Sequence, residues 1–169
     1  MKYRSLLVAT IIFLVGTMLV ATIVNQIQKQ ADSQTVTDSD MAYIINDALH
    51  IAISSRMPDH TEITYNKDYI ILSSRNLNEN WVPLSVGGYT VLLMTPSQLQ
   101  AKADREGIFS SLSFDEIKIA DGRVEFMMGY FPILPSGSTL MPLYGGGLWL
   151  KYVESFGQWN SSIVGYMIS

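Results

Sequence analysis

The stretch FSSLSFDEIKIADGRVEFMMGYF, residues 109–131, decides the class of this fold. Two strand-like runs, 109–119 and 123–131, flank Ala120-Asp121-Gly122. Asp-Gly tolerates the positive φ angles of a tight two-residue turn, so the runs read as a β-hairpin. A second hairpin follows, in which LWLKYVES (148–155) and QWNSSIVGYMI (158–168) meet around Phe156-Gly157. Leu148, Leu150 and Tyr152 share one face of its first run, and Trp149, Lys151 and Val153 share the other. That is the period-two alternation of a half-buried strand.

Working outward, the upstream half changes period. Met41, Ile44, Ile45, Ala48, Leu49, Ala52 and Ile53 recur at three- and four-residue spacing behind the N-cap oxygens of Thr37-Asp38-Ser39-Asp40. This predicts an amphipathic helix ending near Arg56, before Met57-Pro58. Thr95-Pro96 starts a shorter helix that stops at Gly107. EITYNKDYIILSS predicts a hairpin of 62–65 and 69–73 around Asn66-Lys67-Asp68. An irregular stretch, 75–88, leads to a strand at 89–94, and 132–142 reads as a loop. The fold class is therefore α+β: one long helix, one short helix and an antiparallel sheet of about six or seven strands.

The N-terminus has a different character. Residues 5–24, SLLVATIIFLVGTMLVATIV, carry no charge and match the roughly 20 residues that a helix needs to span a bilayer. Lys2 and Arg4 precede the run and only Lys29 closely follows it, which by the positive-inside rule leaves the N-terminus in the cytoplasm. The expected organisation is a single-pass signal-anchor at 1–24, a polar tether at 25–38 and an extracytoplasmic α+β domain at 39–169. The alternative is a cleaved signal peptide, for which Leu19-Val20-Ala21 is the candidate site, and a secreted product.

Beyond residue 30, all fifteen acidic residues stand against eight of the eleven basic ones, a net charge of −7. A surface of that sign repels nucleic acid, so no nucleic-acid partner is expected. The chain has no cysteine, which excludes disulfides, thiolate catalysis and Cys-ligated metals.

Motifs for chemistry are scarce. Asp59, His60 and Glu62 sit close in sequence, and His50 lies on the long helix, but no HExxH or comparable ligand spacing occurs. Asp115 and Glu116 are adjacent, so on a strand they point to opposite faces. There is no GxSxG elbow and no SxxK pair. Ser136-Gly137-Ser138 lies in a Pro/Gly turn. Gly145-Gly146-Gly147 precedes a strand rather than a helix, so it fits a bulge or a close backbone approach and not a phosphate loop. No catalytic, cofactor-binding or metal-binding residue is assigned, and no cofactor is expected. The candidate ligand or partner contacts are Tyr144, Trp149 and Trp159 around the glycine strand, with Lys102 and Arg105 on the short helix.

VGGYTVLLMTPSQLQAKADREGIFSSLSFDEIKI and GGGLWLKYVESFGQW also carry a resemblance. The chain is similar to a group of uncharacterised exported or membrane-anchored bacterial proteins that share an LL-TP-x-x-x-Q-x-KAD-x-EG-x-F run and a later triple-glycine strand. The resemblance implies a bacterial cell-envelope location and no activity. The resulting expectation is a membrane-anchored domain that binds an envelope protein or other component, without catalysis, through a sheet face or edge. Two alternatives stand beside it: an exported hydrolase with a spatially assembled site, and a small-ligand pocket between the long helix and the sheet.

Overall fold

A computed structural model describes residues 35–54, 68–139 and 145–168. Two helices and seven strands make up these residues: α1 Asp38–Ile53, β1 Tyr69–Ser73, β2 Ser85–Val86, β3 Tyr89–Met94, α2 Pro96–Glu106, β4 Phe109–Ala120, β5 Arg123–Ile133, β6 Gly146–Ser155 and β7 Gln158–Ile168. The stretch 75–88, expected to be irregular, holds a 3-10 turn, Glu79–Trp81, and the two-residue strand β2. All strands join one sheet in the order β2-β3-β1-β4-β5-β6-β7.

The helices start where the caps dictate. Thr37 closes a capping box on α1: its hydroxyl accepts from Asp40 N at 3.2 Å while the Asp40 carboxylate accepts from Thr37 N at 2.9 Å. Thr95 and Gln98 repeat the device on α2, with Pro96 in the first turn. α1 ends at Ile53, slightly before the expected Arg56, with Ser54 as its cap.

The sheet is mixed, which corrects the all-antiparallel expectation. β1 runs parallel to β3, Tyr69 to Ser73 against Thr90 to Met94, and parallel to β4 through Leu72 and Leu112. The chain leaves β3, crosses the sheet as α2 and returns as β4 on the far side of β1, so β3, β1 and β4 all point the same way. Both flanks of β1 are thus occupied, and its expected hairpin partner at 62–65 lies outside the described residues. From β4 onward the sheet is an antiparallel meander, whose β4–β5 and β6–β7 hairpins are the two that the turn dipeptides predict. Asp121 and Gly122, and likewise Phe156 and Gly157, all have positive φ, as a type I′ hairpin turn requires. β5 runs further than expected, to Ile133, and holds Pro132.

α1 covers one face. Ile44, Ile45, Ala48 and Leu49 meet Ile70, Leu72, Leu112, Phe114, Phe126, Leu148, Leu150 and Tyr152, all fully buried. Phe126 is the hub, with ring centroids 5.1 Å from Phe114 and 5.8 Å from Tyr152. Burying each such side chain contributes about 1.5–3 kcal/mol, so this face carries most of the fold's stability. Three acids of α1 then accept from three aromatic donors around its rim. Trp81 Nε1 donates to Asp38 at 2.8 Å, Trp159 Nε1 to Asp40 at 2.8 Å and the Tyr152 hydroxyl to Asp47 at 2.9 Å. Burial, reinforced by Asp47, pushes the Tyr152 phenol well above its usual range.

The second face is only half covered. Leu99 and Ala103 of α2 pack on Ile71 and Phe109, with Tyr69, Met94 and Ile133 around them. No helix among the described residues covers this face over β6 and β7.

Candidate functional site

The glycine strand shows its purpose sterically. A Cβ on Gly146 would stand 2.8 Å from a Tyr130 ring carbon, and one on Gly147 would stand 3.1 Å from the Met128 carbonyl oxygen. Gly146 makes room for a core tyrosine, and Gly147 lets β5 and β6 approach closely. Gly146 and Gly147 are packing devices at the start of β6, the close backbone approach expected of glycines at a strand entrance. Trp149 follows on the second face, half-buried, with its indole over Gly165 of β7.

Trp159 is turned the other way. Its indole N–H goes to Asp40, and its ring packs against the α1 core. With Thr37, this bond holds the Asp40 carboxyl below its ordinary value. Trp159 therefore joins the β7 start to the α1 start. Tyr144 lies outside the described residues, as does His60. His50 is exposed on α1.

Lys102 and Arg105 both turn to Glu106. Lys102 reaches it across one helical turn, and Arg105 Nη2 lies 2.6 Å from its carboxylate. The two cations hold the Glu106 carboxyl down to about 2. Lys102 also sits 5.6 Å above the Phe109 ring. Asp104, in the same helix, accepts from Ser136 N at 2.5 Å and from Gln100 Nε2 at 3.0 Å, and so pins the Pro135 turn to α2. This charge set is occupied internally, and the structure does not bring it together with Trp149 or Trp159. No group of three His, Asp or Glu residues that could hold a metal forms among the described residues.

The feature that residue-by-residue reading missed is the sheet's rim. β7 ends the strand order, so among the described residues its outer side has no neighbour. Eleven residues, QWNSSIVGYMI, present this rim without one charge or proline. Edge strands are commonly blunted by lysine, proline or shortness. Here the one irregularity is a bulge: Trp149 pairs with Gly165 and Leu150 with Ile163, leaving Val164 extra. Val164 and Tyr166 stand 60% and 61% exposed beside it. The opposite edge, β2, has two residues. The signal was present in the sequence as an uncharged run inside an acidic domain, but only the strand order shows that the run lies at an edge.

No protein-family model, no curated protein and no solved structure matches this chain. Among the described residues no helix is long and apolar enough to cross a membrane, and residues 5–24 lie outside them.

Proposed function

We propose that this chain is a non-enzymatic binding protein, held outside the cytoplasmic membrane by residues 5–24. It takes an extended segment of an envelope protein as an added strand on β7. The observation that carries the reading is the rim itself: eleven residues of edge strand, uncharged and free of proline. Along such an edge every second residue turns its N–H and C=O outward, a ladder that a partner strand completes. Main-chain bonds would supply affinity, while Val164 and Tyr166 would select side chains at the rim. The acidic remainder of the domain supports the reading by keeping like-charged copies apart at long range.

The test is a double substitution, Val164→Lys with Tyr166→Lys. Placing charges on the rim is expected to abolish co-purification of the partner from solubilised membranes and to shift the melting temperature by no more than about 2 °C. Unchanged recovery of the same partner would sink the strand-addition reading.

A further inference from the structure

Two serines, Ser73 and Ser111, are buried, 6% and 4% exposed. Both line one groove on the second face of the sheet. It lies beside α2, at the C-terminal end of β1 and where β3 passes into the helix. Adjacent parallel strands whose outgoing connections turn to opposite faces leave a crevice at their carboxyl ends. That is the case here: the β1 connection packs Leu77 and Trp81 against the α1 core, and the β3 connection is α2 on the other face. The groove encloses about 530 Å³, within the roughly 300–1,000 Å³ of small-molecule clefts.

Its chemistry is mixed in a specific way. Asp115 is held at its rim by two donors, Asn76 Nδ2 to one carboxylate oxygen at 3.2 Å and the Ser113 hydroxyl to the other at 3.1 Å. Each oxygen keeps acceptor capacity for one more hydroxyl. A β-bulge directly after Asp115, with Glu116 at φ 53°, sets where that carboxylate points. Ser73 accepts from Arg75 N at 3.3 Å and retains its own hydrogen to donate. Gln100 spends its amide hydrogens on Asp104 and the Leu134 carbonyl, leaving its oxygen as an acceptor. Arg75 lines the same groove, and no ion pair engages it among the described residues. Phe131 completes the wall with its ring laid across Gly129, where a Cβ would come within 2.6 Å of a ring carbon. A ring lying on backbone in this way offers a flat apolar platform.

An anion here would face Asp115, a cation would face Arg75, and a wholly apolar ligand would give the Ser73 hydrogen no acceptor and the Asp115 oxygens no further donor. A neutral molecule rich in hydroxyls, with C–H edges to stack on Phe131, satisfies every group at once. The geometry points to a saccharide-binding groove formed by Ser73, Arg75, Ser111, Ser113, Asp115 and Phe131. It lies on a different surface from the β7 rim and does not depend on the strand-addition reading.

Saturation-transfer NMR tests it, using the full chain in a detergent without a sugar headgroup and with glucose, N-acetylglucosamine and maltose as probes. At least one of them is expected to receive saturation on its ring protons. Asp115→Asn should weaken that binding by roughly tenfold or more, the loss expected for a hydrogen bond to a charged group. Phe131→Ala should remove it and Phe131→Trp restore it. Ser113→Ala, which disturbs packing least, should weaken it several-fold, while the Val164→Lys, Tyr166→Lys double variant leaves it unchanged. Three silent sugars would overturn the proposal, as would transfer that survives both Phe131→Ala and Asp115→Asn. So would binding of succinate, used as an anionic control, in place of the sugars.

Discussion

The two faces of this sheet are built to different standards. Under α1, the large side chains from Ile44 to Tyr152 are sealed from water, and the aromatic donors at the helix rim each find a carboxylate. Under α2 the helix is shorter, two serines are buried, and the face continues past the helix toward an edge at β7 that has no neighbour among the described residues. A chain that only had to fold would not need the second arrangement. Stability is concentrated on the first face, which leaves the second face and its rim to tolerate polar groups and open backbone.

Deleting one aromatic ring from each face should separate them most widely. Phe126→Ala is expected to cost about 3–5 kcal/mol in urea unfolding, because it opens a cavity between Phe114 and Tyr152. Phe131→Ala on the half-covered face is expected to cost about 1 kcal/mol. Equal losses would show that both faces carry the fold.

A smaller effect, of opposite sign, is expected at the β6–β7 turn. Phe156 is fully exposed yet sits at φ 54°, a left-handed conformation that bulky side chains resist. Phe156→Asn supplies the residue that type I′ turns prefer and should stabilise the domain by about 0.5–1 kcal/mol in the same assay. A loss of stability would mean that the ring makes a contact which its exposure hides.

The smallest predicted effect separates the faces by pH. The folded Asp40 carboxyl lies below its unfolded value, because Thr37 and Trp159 donate to the charged form. Its contribution is therefore complete above the unfolded value, near pH 4, and is lost as the pH falls through the lowered folded value. Trp159→Phe should flatten this acid limb of the stability curve, whereas Phe131→Ala on the second face should lower the curve without changing the shape of that limb.

Much of this architecture was legible because it is local. Asp121-Gly122 and Phe156-Gly157 fix two hairpins within a few residues, and Thr37 and Thr95 fix two helix starts through bonds three residues long. The parallel trio β3-β1-β4 was not legible, since its pairing is set by a crossover and leaves no turn signal. The bond that Trp159 makes was not legible for a related reason: its partner, Asp40, lies 119 residues away in the chain. The groove hid in plain view. Ser111 and Ser113 alternate with Leu112 and Phe114, so one side of β4 is polar, but only the fold brings Ser73 and Phe131 beside them.

The claim that the bare rim is the partner site is tested most directly by photo-crosslinking. A photoreactive residue at Val164 should form a discrete protein adduct in native membranes, and the same group at the exposed Ile119 of the β4–β5 hairpin should form none. Adducts of equal yield at both positions, or none at Val164, would contradict the account.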